Sequence, residues 1–399
     1  MGETCAGDSR PTLAAVVRLF LRLGFTAFGG PAVHIAMMRD EVVRRRRWLS
    51  DQQFLDLLGV ANLIPGPSST EMAIYLGYRQ AGTAGLVAGG AAFILPAVLI
   101  VLALAWGYVT YGRLPEVGRV FYGVTPVLIA VIAQALAGLG RAAIKDAMLA
   151  CAAAGALGLA LLGVNVVALL LGGGGVIMLA RVLRGRARAV AMAAVPPGAV
   201  PPAPGAGAAS ARAAAIAAAA VPFGLVPLFW AFLKVGATVF GSGYVLLAYL
   251  HQDLVVRLRW MTDRQLLDAI AVGQLTPGPV FTTATFIGYV LGGLPGAAVA
   301  TVGIFLPSFL FVGATYPFIG RLRASPWTAA FLDGVNAIAV ALMAAVTWHL
   351  ARAAIVDWLT ALTAVLGYAA LVRLRINSAL LILAGGVFGA SVGVLGGGQ

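Results

Sequence analysis

Apolar residues fill this chain in long, almost uncharged stretches, separated by short clusters of arginine. Residues 84–108 carry no charge, and neither do residues 124–139. Residues 147–179 are long enough for two crossings of a bilayer, with Gly163, Val164 and Asn165 as the turn between them. A helix needs about 20 apolar residues to cross the hydrocarbon. The pattern predicts six helical segments near 12–38, 53–80, 82–110, 118–140, 146–163 and 164–182. It predicts six more near 214–250, 264–290, 292–318, 328–351, 355–372 and 376–395. The expected fold is all-α and polytopic, with about 10–13 crossings.

The two sets are copies. Phe20-Leu-Arg-Leu-Gly24 returns as Phe232-Leu-Lys-Val-Gly236, Trp48 as Trp260, Asp56 as Asp268, and Pro65-Gly66-Pro67 as Pro277-Gly278-Pro279, all at an offset of 212. One residue is then lost: Gly77-Tyr78 matches Gly288-Tyr289, and Arg141 matches Arg352, at 211. So many unlike residues held in one register mean a fused duplication. The predicted organisation is a tail at 1–11, a first repeat at 12–182, an Ala/Pro/Gly-rich linker at 183–212 and a second repeat at 213–399. A linker of that composition cannot pack a core.

Composition sharpens the class. Hydrophobic residues make up 61% and charged residues 10%, against about 25% charged in soluble domains. The net charge of +13 sits in short loops, as in membrane proteins, so nucleic acid is not an expected partner; the bilayer is. Cys5 and Cys151 suggest neither a disulfide framework nor a metal site, and the N-terminus does not read as a cleaved signal peptide. His34, His251 and His349 lack metal-ligand spacing, and no phosphate-binding GxxxxGK[ST] loop occurs, so no cofactor is expected.

The informative residues are those that interrupt helices. Segment one carries Phe28-Gly29-Gly30-Pro31, and segment two carries Pro65-Gly66-Pro67. Proline removes a backbone donor and glycine permits non-helical dihedrals. Such breaks persist in hydrocarbon only where they are buried in protein or line a wet cavity, which is where many carriers hold their substrate. Pro31, Pro67 and Pro279 suit first helical positions. The amides and hydroxyls of Ser68 and Ser69 after Pro67 could cradle an anion. The second half offers Gly241, Pro277, Gly278 and Pro279, followed by less polar residues. The alternative is that the breaks only shape helix packing.

Four further positions join them. Arg22 and its counterpart Lys234 precede the glycine breaks, where a cation suggests an anionic partner or snorkelling to the surface. Asn62 and Gln274 precede the PGP motifs and could serve an anion or the broken backbone. His34 follows Pro31 and could pack or bind. Glu71, absent from the second half, could carry a coupling proton, balance Arg22 or face water.

These residues resemble the chromate ion transporter family in its long, two-domain form. The resemblance is carried by FLRLGFTAFGGPAVHIAMM at 20–38, IPGPSSTEMAIYLGY at 64–78, and FLKVGATVFGSG and TPGPVFTTATFIGYVLGG in the second half. It covers nearly the whole chain. It implies export of chromate, a tetrahedral dianion like sulfate, across the bacterial inner membrane, and it leaves room for a homodimer. The second half has no equivalent of Pro31 or His34, so half one is expected to carry more of the substrate chemistry. Rival readings are a carrier for sulfate or an organic acid, a passive channel, and a membrane-embedded enzyme. Arginines at 257, 259, 321, 323, 373 and 375 fall in alternate loops and suggest one cytoplasmic side. The linker arginines share that side only if the halves are inverted.

Overall fold

The computed structural model describes residues 12–112, 114–193, 222–240, 245–318, 326–374 and 376–396. All regular structure among them is helical. The first half contains α1 (Leu13–Thr26), α2 (Pro31–Arg39), α3 (Asp51–Ala61), α4 (Ser68–Tyr111), α5 (Pro115–Ala143), α6 (Ala147–Leu161) and α7 (Val166–Ala193). The second contains α8 (Leu225–Thr238), α9 (Leu246–Leu250), α10 (Asp263–Leu275), α11 (Thr283–Thr315), α12 (Pro326–Ala354), α13 (Trp358–Ala369) and α14 (Ser378–Gly396). Helices α2 and α9 run on into π-helical turns, Asp40–Arg45 and His251–Arg257. The N-terminal tail, the linker beyond Ala193 and Gly241 lie outside the described residues.

The same local chemistry starts equivalent helices. Ser50 caps α3 and Thr262 caps α10, each in a reciprocal capping box with Gln53 or Gln265. Asp146 caps α6 and Asp357 caps α13. These side-chain oxygens satisfy first-turn amides that have no intrahelical partner.

The first two segments of each half turn back instead of crossing. Arg22 on α1 forms a 2.5 Å ion pair with Glu41 beyond α2, 19 residues along the chain. A straight helix would hold such residues about 28 Å apart. Lys234 on α8 pairs with Asp253 in the same way. The second pair of arms also lies side by side. Tyr108 donates to Asp268 on α10 at 2.7 Å, and its ring meets Phe286 on α11 at 5.2 Å. Each half therefore contributes two re-entrant hairpins, with tips at Ala27–Gly30 and Asn62–Pro67 in half one and, in the described residues of half two, beyond Val239 and at Gln274–Pro279. The expected count of about 10–13 crossings included these segments, and the described residues supply fewer because four of them reverse at mid-depth.

A second reversal follows inside α4 and α11. Gly82 (φ +61, ψ −149) and Gly293 (φ +62, ψ −153) interrupt them with the same geometry. Positive φ of this kind strains any residue with a Cβ. The two arms then pack closely: a Cβ on Gly77 would strike the Gly85 carbonyl, and one on Gly288 the Gly296 carbonyl. Beyond the turn, the long arms of α4 and α11, together with α5, α6, α7, α12, α13 and α14, pack into one bundle. Five stretches, Ser68–Tyr111, Pro115–Ala143, Val166–Arg184, Val280–Phe318 and Trp327–Ala354, have the length and apolarity of membrane spans.

The halves are inverted. Leu86 lies against Gly313 while Gly90 lies against Phe309, so the long arms of α4 and α11 run antiparallel. Lys145 pairs with Asp333 at 2.8 Å while Gly140 touches Val340, so α5 and α12 are antiparallel too. Hairpins of half one enter from the face where α1 begins, here the near face, and those of half two enter from the far face. Their tips meet at mid-depth. The Gly66 amide donates to the Val239 carbonyl at 2.6 Å, and the Gly278 amide donates to the Ala27 carbonyl at 2.9 Å. The two bonds are repeats of each other.

Inversion changes the charge map expected from sequence. Arg257 and Arg259 follow the far-face hairpin, whereas Arg44 to Arg47, Arg141, Lys145, Arg181 and Arg373 lie toward the near face. The grouping of Arg257 and Arg259 with Arg373 is thus corrected; Arg321, Arg323 and Arg375 lie outside the described residues. Arg181 pairs with Asp146 and Asp333 at the near face, while Phe223 touches Gly292 at the far face. The change of face falls between them.

Two outcomes are expected. A cysteine at Arg44 and one at the equivalent Val256 react with an impermeant maleimide from opposite sides of oriented vesicles; labelling from the same side contradicts inversion. Gly77→Val forces the arms of α4 apart and lowers stability by about 1–3 kcal/mol, read as a fall in melting temperature in detergent.

Candidate functional site

A cavity of about 1090 Å³ lies between the hairpin tips of half one and the spanning bundle. Its inner wall is Gly30, Pro31, Asn62, Ser68 and Val245; α5 and α12 form its sides; Tyr368, Leu371, Ile376 and Ser378 lie toward the near face. It has room for an ion with part of its water, since a water molecule's share of liquid is about 30 Å³.

Two helix N-termini reach this wall. Gly30 precedes α2, with Pro31 in its first turn, and Pro67 precedes α4; neither end has a side-chain cap. The first amides of a helix have no internal acceptor, and the aligned peptide dipoles place partial positive charge there. Side chains add donors: Asn62, Ser68, Gln134, Asn336, Tyr368 and Ser378. Among the described residues, Arg141 is the one charged residue lining the cavity, and no acidic side chain does so. The wall therefore offers donors and positive potential to an anion, with alanine, valine and leucine between them.

The structure distributes the sequence-derived candidates unevenly. Gly30, Pro31, Asn62 and Ser68 line the cavity. Gly29 (φ +119) and Gly66 (φ +140) make the sharp turns at the tips, and Pro65 and Pro67 frame Gly66. Ser69 is buried behind Ser68. His34 is buried: its Nε2 lies 3.1 Å from the Ala27 carbonyl, its Nδ1 has no hydrogen-bond partner among the described residues, and its ring meets Phe93 edge-on. In half two, Pro277, Gly278 and Pro279 form a tip packed against Gly24, Phe93 and Ala97. Gln274 is buried nearby, and its Nε2 has no hydrogen-bond partner among the described residues. None of these second-half residues lines the cavity.

Neither Arg22 nor Lys234 lines this cavity. Their partners are carboxylates of their own hairpins. Glu41 accepts from Arg22, Arg45 and Arg46, and Asp253 pairs with Lys234 and Arg257. Both carboxylates are buried, with side chains 6% and 4% exposed. The pairs tie the two arms of each hairpin together.

Gln134, Asn336 and Arg141 were missed as site residues. Gln134 is the one polar side chain within residues 126–140, and Asn336 stands amid alanine, valine and leucine. An isolated polar residue in a membrane helix is a site candidate by default, and that signal was available.

A family model described as Chromate transporter matches the chain twice, over residues 14–179 and 226–390. A chromate transport protein of Cupriavidus metallidurans is 35% identical over 385 residues, covering 94% of this chain and 91% of its own length. One of Pseudomonas aeruginosa is 35% identical over 341 residues, covering 84% and 80%. A probable chromate transport protein of Synechococcus elongatus is 30% identical over 355 residues, covering 87% and 86%. No solved structure matches the chain.

Arg22→Ala is expected to act on stability and not on recognition. Glu41 keeps Arg45 and Arg46, and the Arg22 side chain is half exposed, so the loss is at most about 1 kcal/mol. A thermal melt and the half-saturation concentration for the anion, measured on the same variant, check this. A large rise in half-saturation with an unchanged melt returns Arg22 to the binding site.

Proposed function

The chain belongs to the chromate transporter family, and on that premise we propose that it exports a tetrahedral dianion, chromate or its close analogue sulfate, across the bacterial inner membrane. The observation that carries this reading is the cavity: two uncapped helix N-termini, a ring of neutral donors and Arg141, with no acid facing it among the described residues. The near face is then cytoplasmic, in keeping with its arginines.

In this reading the dianion enters from the near face past Arg141. It exchanges water for Asn62, Ser68, Gln134 and Asn336 and for the free amides that open α2 and α4. Hydrogen bonds of this charge-assisted kind contribute about 1.5–3 kcal/mol each, which offsets part of the lost hydration. The inverted halves suit alternating access, because each conformation of one half is available to the other on the opposite face. Secondary active export follows. An inside-negative potential favours outward movement of negative charge by about 2.3 kcal/mol per charge per 100 mV. Donors placed around a tetrahedral ion read charge and shape but not the central atom. Sulfate is therefore expected to compete with chromate, and the fit of an organic acid is left to competition experiments.

Uptake of labelled chromate into inverted vesicles tests the reading. Energised uptake that sulfate inhibits is expected, and no uptake under any imposed gradient overturns it. Gln134→Leu, Asn336→Leu and Arg141→Ala are each expected to raise half-saturation about 10–100-fold, the equivalent of one charge-assisted hydrogen bond, with normal membrane insertion. Unchanged kinetics in all three removes the cavity from the mechanism.

A further inference from the structure

Glu71 stands in the first turn of α4, one turn from Ser68. It is fully buried, and neither carboxyl oxygen has a hydrogen-bond partner among the described residues. A Cβ on Gly66 would strike Glu71 Oε1 and come within 2.7 Å of Ser308 Oγ, so carboxyl and hydroxyl share one spot beneath the hairpin tip. Ser308 belongs to the long arm of α11 in the other half; it is fully buried, and its hydroxyl is also unpartnered among the described residues. The Gly66 amide beside them is occupied by Val239.

Two of the roles open to Glu71 from sequence are closed. It does not face water, and Arg22 is engaged by Glu41. No ion pair links it to any described cation. The titratable neighbour on its own helix, Tyr75, hydrogen-bonds Thr315. In the second half the equivalent place holds Thr282 and Thr283, whose hydroxyls donate to the Pro279 and Val280 carbonyls at 2.9 and 2.8 Å. The acid therefore occurs once, beside the cavity of half one. A carboxylate in such surroundings lacks both water and counter-ion, whereas a protonated carboxyl can donate to Ser308.

We propose that Glu71 and Ser308 form a proton-binding site linked to the anion site, so that the dianion and one proton bind together. Residues three apart on a helix have Cβ atoms about 5–6 Å apart. A dianion at Ser68 therefore repels a carboxylate at Glu71 and favours its protonated form. Linkage is reciprocal, so the proton strengthens anion binding equally. The balance is simple: one O–H bond forms at Glu71 with a proton from solvent as the anion binds, and it breaks as the anion leaves. The transported unit then carries one net negative charge, which an inside-negative potential still drives outward. This rests on the reading of the chain as an anion carrier.

The test is chromate binding to the purified full-length protein in weak buffer, in the alkaline range where chromate is itself the dianion. Proton uptake is read with a pH-sensitive dye. About one proton taken up per chromate is expected, with affinity falling about tenfold per pH unit as pH rises. Glu71→Gln is expected to bind chromate with no proton uptake and no pH dependence. Ser308→Ala, which removes the acceptor for the protonated carboxyl, is expected to move the fall in affinity to lower pH. Chromate binding without proton uptake in the wild type overturns the Glu71 site alone; no chromate binding overturns this and the carrier reading together. If Glu71→Gln does not fold, the wild-type proton count and the Ser308→Ala shift decide. Sodium dependence in place of pH dependence also overturns the proposal.

Discussion

Two main-chain hydrogen bonds, Gly66 to Val239 and Gly278 to Ala27, allow four hairpins to end inside a membrane. An unpaired amide or carbonyl in hydrocarbon costs several kcal/mol, so a re-entrant hairpin has no stable place to stop unless something at mid-depth accepts its ends. Here each half supplies what the other lacks. The donor is in each case the glycine of a PGP motif, held at positive φ between two prolines that have no amide of their own. The acceptor is the first carbonyl after an interrupted helix. Inversion is what makes the exchange possible, because hairpins from opposite faces meet tip to tip.

From that meeting point the other features follow in order. The tips stop α1 and α3 at mid-depth, so α2 and α4 begin there, and their open N-termini face the cavity. The arms are held together by ion pairs that bring Glu41 and Asp253 out of water with two or three cations each. A buried carboxylate tolerates such a position only when paired and hydrogen-bonded. The tight glycine turns at Gly82 and Gly293 return the chain to the face it came from. The long arms of α4 and α11 therefore start where their hairpins started and run the full depth in opposite directions.

Much of this was legible in the sequence, but not all. The repeat was readable residue by residue because unlike residues kept one offset, and the prolines and glycines marked the breaks because no helix interior accepts them cheaply. What followed each break was not readable. Gly30-Pro31 is equally compatible with a kinked crossing and with a reversal, and only the contact of Arg22 with Glu41 distinguishes them. The partner of Arg22 was sought in the substrate because Glu41 lies in a charged stretch that resembles a loop. In space that stretch returns to α1, at Arg22. Gln134 and Asn336 carry a different signal from the breaks, a polar side chain in an apolar helix, which marks a site without any proline or glycine beside it. The inversion could be argued from arginines but not placed, since hairpins that do not cross upset any count of crossings.

The four arginines at 44–47 have as their repeat Val256, Arg257, Leu258 and Arg259. On the proposed orientation the first loop stays in the cytoplasm, whereas the second must be carried through the bilayer while the protein is being inserted. Each cation taken across works against the membrane potential and hinders translocation. A duplicated module that ends upside down is inserted more easily when the translocated copy of that loop carries less positive charge. Valine and leucine at 256 and 258 leave it two cations lighter than its repeat, a difference that bears on biogenesis and not on transport.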